Sequence, residues 1–365
     1  LREYVLAINP GSTSTKVAVF KGKENLFETR LDHPLEELNQ YKKITDQYLL
    51  RKNIILAWLQ EIAIHSENLL AVVGRGGLLR PIPGGTYKIT EEMIKDLKAG
   101  VQGEHASNLG GILAKAIADI EGIDAYIVDP VSVDEFEDVA RVSGMPEIQR
   151  RSLGHALNIK AVGHSVAADL NKNFQEVNLI VAHLGGGISV APVKLGRLVD
   201  YNNANEAGPF SPERAGDLPT GDLAKLCFSG EYTYNEIKEK LRGKGGLTAY
   251  LLTNNAIEVE KRIEEGDQRA KLIYDAMCYQ IAKEIGAMAT VLNGRIDAIV
   301  LTGGIAHSSY VTSNIAERVS FIAPVMIYAG EDEMKALNEG VLRVIRREEN
   351  SKIYEEEVLT HDKKL

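Results

Sequence analysis

Two short turns carry most of the chemistry-bearing residues of this chain. The first is Asn9-Pro-Gly11-Ser12-Thr13-Ser14-Thr15-Lys16, and the second is His183-Leu-Gly185-Gly186-Gly187-Ile-Ser189. Hydroxyls, an ammonium and backbone N–H groups at a glycine- or serine-rich tip are the equipment for holding phosphate oxygens, and Asn9 can position a metal-bound water. Apolar runs flank both turns, Val5–Ile8 and Val17–Phe20 in one case, Leu179–Ala182 and Ile188–Val193 in the other, so each is expected to be the tip of a β-hairpin. The same element occurring twice, half a chain apart, points to one nucleotide held between two related domains.

Neither turn fits a commoner motif. The first lacks the Gly-x-x-x-x-Gly-Lys-Ser/Thr spacing and no helix follows it, so it is not a Walker A loop. The glycines 185–187 continue as a strand instead of opening a helix, which disfavours a nicotinamide dinucleotide site. Read alone, the first tip equally suits a plain serine-rich turn, and a packed strand histidine is the alternative for His183. Beside a phosphate, His183 would instead donate a hydrogen bond to charge developing during transfer.

Other residues stand where strands end. Thr302-Gly303-Gly304 follows an apolar run, and its glycines permit the close backbone approach that an adenosine face requires. A tight strand-to-helix turn is the alternative. Asp129 precedes Pro130 at the end of another apolar run, where it suits a turn former as well as a magnesium partner. Arg75, among glycines 74, 76 and 77, and Arg214, in a turn-rich loop, are less ordinary than isolated surface arginines.

These residues need a scaffold. The 365 residues suit two domains, and 44% apolar with 25% charged residues is an ordinary globular composition. The balance of 42 basic against 51 acidic residues, −9 overall, with no basic stripe, argues against a nucleic-acid partner. A polyanionic substrate must then be drawn in by locally placed cations. No window of 18 uncharged apolar residues occurs and no signal-peptide pattern opens the chain, so a cytoplasmic protein without membrane partners is expected. Cys227 and Cys278 read as ordinary reduced thiols.

Helical periodicity runs from about Gln47 to His65, then a strand covers Leu69–Val73. Thr90 and Gly100 bracket one helix, Ser107 and Gly122 another, and the strand Ala125–Val128 follows. The helical stretch 154–171 leads into the second hairpin, so the domain crossover is placed at 153/154. The segment 202–222 reads as a functional loop carrying Arg214. A long helical region from about 256 to 292, the strand Ala298–Leu301, a helix over 332–347 and a solvated charged tail from Glu348 complete the alternation of an α/β protein.

Taken in order, Asn9-x-Gly-Ser-x-Ser-x-Lys16, Gly-Arg75-Gly-Gly, Asp129, the contexts of His155 and His183, Arg214 and Thr-x-Gly304-Ile resemble the motifs of the acetate kinase (acetokinase) family, within the sugar kinase, actin and heat-shock chaperone superfamily. The resemblance covers nearly the whole chain. His-Leu-Gly-Gly-Gly-Ile-Ser at the second tip and the loop Gly208-Pro-Phe-Ser-Pro-Glu-Arg214 are similar to the butyrate-phosphorylating branch.

The resemblance implies two actin-like (ribonuclease H-like) α/β domains with duplicated βββαβαβα cores around an interdomain nucleotide cleft. Domain one would span 1–153, with the helix and tail 333–365 returning to it, and domain two 154–332. It also implies reversible transfer of the γ-phosphoryl of ATP to a short-chain acid, butanoate giving butanoyl phosphate and ADP, with Mg2+ and at least a homodimer. Arg75, Asp129, His155, His183 and Arg214 would be catalytic, with Arg75 gripping the substrate carboxylate and His105 in the rough position of a family active-site histidine. Ser12, Ser14, Lys16, His183, Gly185, Gly186, Gly187, Gly303 and Gly304 would hold nucleotide. Asn9, Asp129 and Glu333 would organise magnesium, although Glu331 and Asp332 are equally placed for it. Residues near Val73, Leu78 and Pro81 are expected to wall the acyl pocket. Acetate, propionate or isobutyrate kinase activity is the nearest alternative, and a non-enzymatic actin-like nucleotide switch the distant one.

Overall fold

The alternating run at the N-terminus forms two antiparallel strands, β1 (Tyr4–Pro10) and β2 (Ser14–Lys21), in the computed structural model, which describes residues 2–358. Strand β3 (Glu24–Asp32) extends this meander along β2. No apolar alternation announces β3 because it is an edge strand with mostly exposed side chains. Strand β4 (Leu69–Arg75) lies parallel to β1. After β5 (Thr86–Lys88), β6 (Asp124–Val128) joins parallel to β4 and antiparallel to β5.

A second sheet repeats that topology. The meander β7 (Asn178–Leu184), β8 (Ile188–Lys194) and β9 (Arg197–Leu198) is followed by β10 (Ala298–Gly303), parallel to β7, and β11 (Val325–Ala329), parallel to β10. The spatial order β9-β8-β7-β10-β11 matches β3-β2-β1-β4-β6 of the first sheet. The duplication expected from the two hairpins therefore extends to five strands in each sheet.

The chain divides into two compact units, one of residues up to Asp134 together with those from Asp332 onward, the other Glu135–Glu331. The division precedes the crossover expected at 153/154 because the chain after Asp134 is anchored in the second unit. Glu135 accepts hydrogen bonds from Lys160 Nζ at 3.0 Å and from Leu198 N at 2.7 Å, and Glu137 N donates to Val199 O at 3.0 Å.

In the first unit the helices Tyr48–Glu61, Glu91–Ala99 and Asn108–Glu121 cover a core containing Leu6, Ile8, Val17, Val72 and Ile112. Thr90 caps its helix through Met93 N, and Gly100 ends it in the left-handed region. The helix Asn108–Glu121 meets β4 at glycine on glycine: a Cβ built on Gly74 would lie 2.0 Å from Gly110 O. Close packing thus accounts for the glycine before Arg75. In the second unit the region 256–292 is two helices, Ala256–Glu264 and Gln268–Val291, separated at Gly266 and restarted by Asp267 capping Ala270 N. A helix, Thr220–Cys227, begins inside the expected loop 202–222.

The helix Glu333–Ile345 packs on β1, β4 and β6, and β12 (Lys352–Ile353) adds to β5 at the sheet edge. The tail is therefore not simply solvated: Tyr354 is buried, and its hydroxyl donates to Asp96 Oδ2 at 2.7 Å. Residues 359–365 of the expected tail lie outside the described residues. Both cysteines are free thiols, and no helix among the described residues is long and apolar enough to cross a membrane.

Candidate active site

In the first unit the parallel strands β1, β4 and β6 are neighbours, and their C-terminal ends carry Asn9, Arg75 and Asp129 respectively. Ligands of open α/β sheets gather at such ends. Glu333, at the start of its helix, joins two of them: one carboxylate oxygen pairs with Arg75 Nη1 and the other accepts from Asn9 Nδ2. The three consecutive acids that sequence left equivalent are thereby separated. Asp332 caps the helix by accepting Lys335 N at 2.9 Å, and Glu331 Oε2 lies 3.7 Å from His183 Nε2 in the second unit.

Asp129 is tied to the chain ahead of β5 through one carboxylate oxygen. Its Oδ1 accepts Gly85 N at 2.7 Å and its own N–H donates to Gly85 O at 3.0 Å, a reciprocal tie that fixes the turn after β6 at a positive φ of 38°. Lys16 departs from expectation, since its ammonium lies 2.6 Å from Glu28 Oε1 across the β2–β3 ladder. That pair is exposed and contributes at most about 1 kcal/mol, so a polyphosphate can displace it. His105 is exposed, with Nδ1 2.8 Å from Ser107 Oγ. Ser12 at the tip is exposed and Ser14 half-buried. Val73 is fully buried in β4 and walls no open pocket, whereas Leu78 and Pro81 are half-buried.

No group of three or more His, Cys, Asp or Glu side chains able to hold a metal occurs among the described residues. Asn9 and Glu333 together offer hard oxygen donors, one of them a carboxylate. Mg2+ keeps several waters and takes one or two carboxylates plus substrate phosphates, so this pair fits it.

In the second unit His183 of β7 is 3% exposed, and its ring stacks on that of His155, with centroids 3.9 Å apart and planes at 14°. Each ring is oriented through Nδ1, His183 by Asn158 Oδ1 at 2.8 Å and His155 by Ser189 Oγ at 3.1 Å. His155 stands at the start of the helix Ala156–Asp169, and Ser189 is the cross-strand partner of His183. Next to them, Arg214 lies across the Gly185–Gly187 tip: a Cβ on Gly187 would fall 2.0 Å from Arg214 Nη1. Arg214 Nη1 donates to Ala204 O at 2.9 Å, and burial, followed by the nearby Arg242, lowers its pKa from the usual value. Ser211 Oγ secures the tip by donating to Gly186 O at 2.6 Å.

The ends of β10 and β11 complete this unit's site. Gly303, at φ 88°, exchanges backbone hydrogen bonds with Gly330, and a Cβ there would lie 2.4 Å from Leu184 O, so its glycine serves packing. Gly304 differs: nothing lies within 4 Å of the position a Cβ would take, which leaves its backbone open to a ligand.

The sequence model of the Acetokinase family matches residues 147–361. The chain is also 56% identical to "Butyrate kinase 2" of Clostridium acetobutylicum over 351 residues, 96% of this chain and 99% of that protein. The chain belongs to the acetokinase family. It is 54% identical to "Probable butyrate kinase 2" of Caldanaerobacter subterraneus subsp. tengcongensis over 96% of this chain and 99% of the other. A crystal structure of Porphyromonas gingivalis acetate kinase superposes with a TM-score of 0.79 at 19% identity, covering 94% of this chain and all of that one, 100%. The acetokinase fold is thus the two-sheet, actin-like arrangement expected.

Against this acetokinase frame, sequence reading missed the two residues that orient the stacked histidines. Ser189 had a usable signal: a hairpin centred on Gly186 puts positions 183 and 189 opposite each other. Asn158 lies one helical turn after His155 in the expected helix, a spacing that means little until that helix is known to pack beside β7.

Proposed function

We propose that this acetokinase transfers the γ-phosphoryl group of ATP to butanoate, reversibly, giving butanoyl phosphate and ADP. A butanoate oxygen attacks the γ-phosphorus in line, the bond from that phosphorus to the β–γ bridging oxygen breaks, and ADP leaves with the electron pair. The acid is already ionised at neutral pH, so no strong general base is needed. The obstacle is repulsion between two anions, about 4 kcal/mol for each unit-charge pair 4 Å apart at an effective dielectric of 20.

The residues in hand answer that repulsion. Arg75 receives the substrate carboxylate, exchanging its pairing with Glu333. Arg214 and the doubly protonated ring of His183, its Nδ1–H held by Asn158 Oδ1 and its Nε2–H donating, stabilise the transferring phosphoryl, a role in which a single arginine contributes about 10³–10⁵ in rate. His155 supports His183 by stacking. Ser12, Ser14, Lys16 and the Gly185–Gly187 tip hold the phosphate chain, and Gly304 faces the nucleoside. Asn9 and Glu333 would hold magnesium, which would supply positive charge to offset the negative charge of the phosphates. Asp129 fixes the turn beside them. His105 contributes to carboxylate binding, and Leu78 and Pro81 wall the acyl chain.

The observation that carries butanoate is the similarity, across nearly the full length, to proteins named butyrate kinase. Each buried methylene contributes about 0.8 kcal/mol, so a snug pocket favours the four-carbon acid over acetate by roughly one to two orders of magnitude. Trapping acyl phosphate with hydroxylamine, using MgATP and acetate, propionate, butyrate and isobutyrate, tests this. Highest kcat/KM for butyrate is expected; a maximum at acetate would overturn the substrate, and acid-independent ATP turnover the reaction itself.

A further inference from the structure

The first hairpin tip rests on a buried arginine for which sequence gave no signal. Arg51 lies in the helix Tyr48–Glu61 and is 0% exposed. Its Nη1 donates to Gly11 O at 2.8 Å, Ser14 O at 3.0 Å and Thr15 Oγ1 at 3.2 Å, and its Nη2 to Ser12 O at 2.8 Å. Gln47 Oε1 takes the remaining donors, Nε at 3.2 Å and Nη2 at 2.8 Å. Every partner is neutral, and no carboxylate pairs with Arg51 among the described residues. Burial lowers its pKa to about 10, so the group is cationic at neutral pH. A buried charge without a counter-ion is costly, and its retention beside a turn calls for an anion.

The tip has the complementary geometry. The carbonyls of Gly11, Ser12 and Ser14 turn inward to Arg51, and that of Thr13 accepts His33 N at 2.8 Å. With these carbonyls engaged, the N–H groups of Ser12 and Thr13 donate to no protein acceptor among the described residues. Backbone N–H groups freed in this way, with a positive charge behind them, form an anion-binding concavity.

We propose that Arg51 is a positioning residue of the phosphate site: its guanidinium gathers the tip carbonyls so that the Ser12 and Thr13 amides are presented to the polyphosphate, whose negative charge completes the neutralisation of Arg51. This rests on the nucleotide reading of the first tip given above.

The test separates charge from scaffolding. Gln47→Glu is isosteric, keeps both hydrogen bonds from Arg51 and cancels its charge, so a merely structural arginine would be held as well or better. Binding of the magnesium complex of the ATP analogue AMP-PNP, and of adenosine, is measured by calorimetry on wild type, Gln47→Glu, Arg51→Gln and Arg51→Lys. For Gln47→Glu we expect AMP-PNP affinity about tenfold weaker, adenosine affinity unchanged and thermal stability retained. Arg51→Gln is expected to lose more, and Arg51→Lys, which keeps the charge without the fork, to lie between. If Arg51→Gln fails to fold, Gln47→Glu decides alone. Wild-type AMP-PNP affinity in a folded Gln47→Glu overturns the role of Arg51 while leaving the nucleotide reading intact. Equal loss for AMP-PNP and adenosine also overturns it. A wild-type protein that binds no AMP-PNP overturns both.

Discussion

Glu333 holds Arg75 and Asn9 with its two carboxylate oxygens, so the arginine proposed to receive the substrate carboxylate is already answering a carboxylate of the chain itself. The half-buried pair keeps the guanidinium aimed at the end of β4. In the proposed reaction substrate would replace one carboxylate by another, which would limit the desolvation cost of bringing an anion to this site.

The first prediction follows from that exchange. Arg75→Ala should lower kcat/KM for butyrate by about 10³ or more with the fold intact, since a bidentate partner for the carboxylate is lost. Glu333→Gln should do something different, raising the magnesium concentration needed for half-maximal rate. Acyl hydroxamate assays across a magnesium titration read both, and an unchanged magnesium midpoint in Glu333→Gln would remove Glu333 from the metal.

Gly187→Ala should imitate the loss of Arg214. The new methyl would sit 2.0 Å from Nη1, and the long side chain, rather than the backbone, has room to give way. We expect kcat to fall by about 10²–10³ with circular dichroism unchanged. Combining Gly187→Ala with Arg214→Ala should cost little more than either alone; additive losses would show that the two do not act as one unit.

Asn158→Ala should free the His183 ring to turn, because Asn158 Oδ1 is the oxygen that fixes its Nδ1. A drop in kcat of about tenfold to a hundredfold is expected, with the KM for ATP near wild type, as for a misaimed group that acts in the transition state. A raised KM with unchanged kcat would assign His183 to ground-state binding instead.

His33 gives the first unit a pH window. Burial first, and the neighbouring Arg51 second, hold its imidazole at about 4 against the usual 6.5, and its Nε2 lies 2.8 Å from Thr15 Oγ1. Between those values the unfolded chain binds a proton that the native ring refuses. The stabilisation is therefore complete above about pH 6.5 and is lost as pH falls towards about 4, with a slope of at most about 1.4 kcal/mol per pH unit. Urea unfolding at pH 7 and pH 5 should show this slope in wild type and a smaller one in His33→Asn; equal slopes would exclude His33.

Much of this was legible because the hairpins announce themselves twice. Apolar alternation around a turn is a local signal, and both tips, with the strand ends carrying Arg75, Asp129 and Gly303, could be read from it. Glu331, Asp332 and Glu333 could not be told apart, since direction at a helix start depends on which residue caps it, and the cap is a matter of backbone angles rather than composition. Arg51 was hidden for a different reason: it sits in an apolar helical pattern where a long side chain is ordinarily taken to reach solvent. Strand β3 escaped because an edge exposed to water needs no apolar residues, and the division of the chain because one glutamate, Glu135, anchors the segment through tertiary hydrogen bonds.

Strand β12 pairs with β5 and the helix Glu333–Ile345 covers β1, β4 and β6, so the first unit is assembled from two stretches of chain that lie on either side of Glu135–Glu331. Synthesis order therefore runs against this unit: its strands β1–β6 are made before Glu135–Glu331 and the helix that covers three of them only after it, whereas Glu135–Glu331 is contiguous. The contiguous unit is thus positioned to mature before the divided one, and removing the segment around Tyr354 would strip β5 of one neighbouring strand and Asp96 of a buried hydrogen bond.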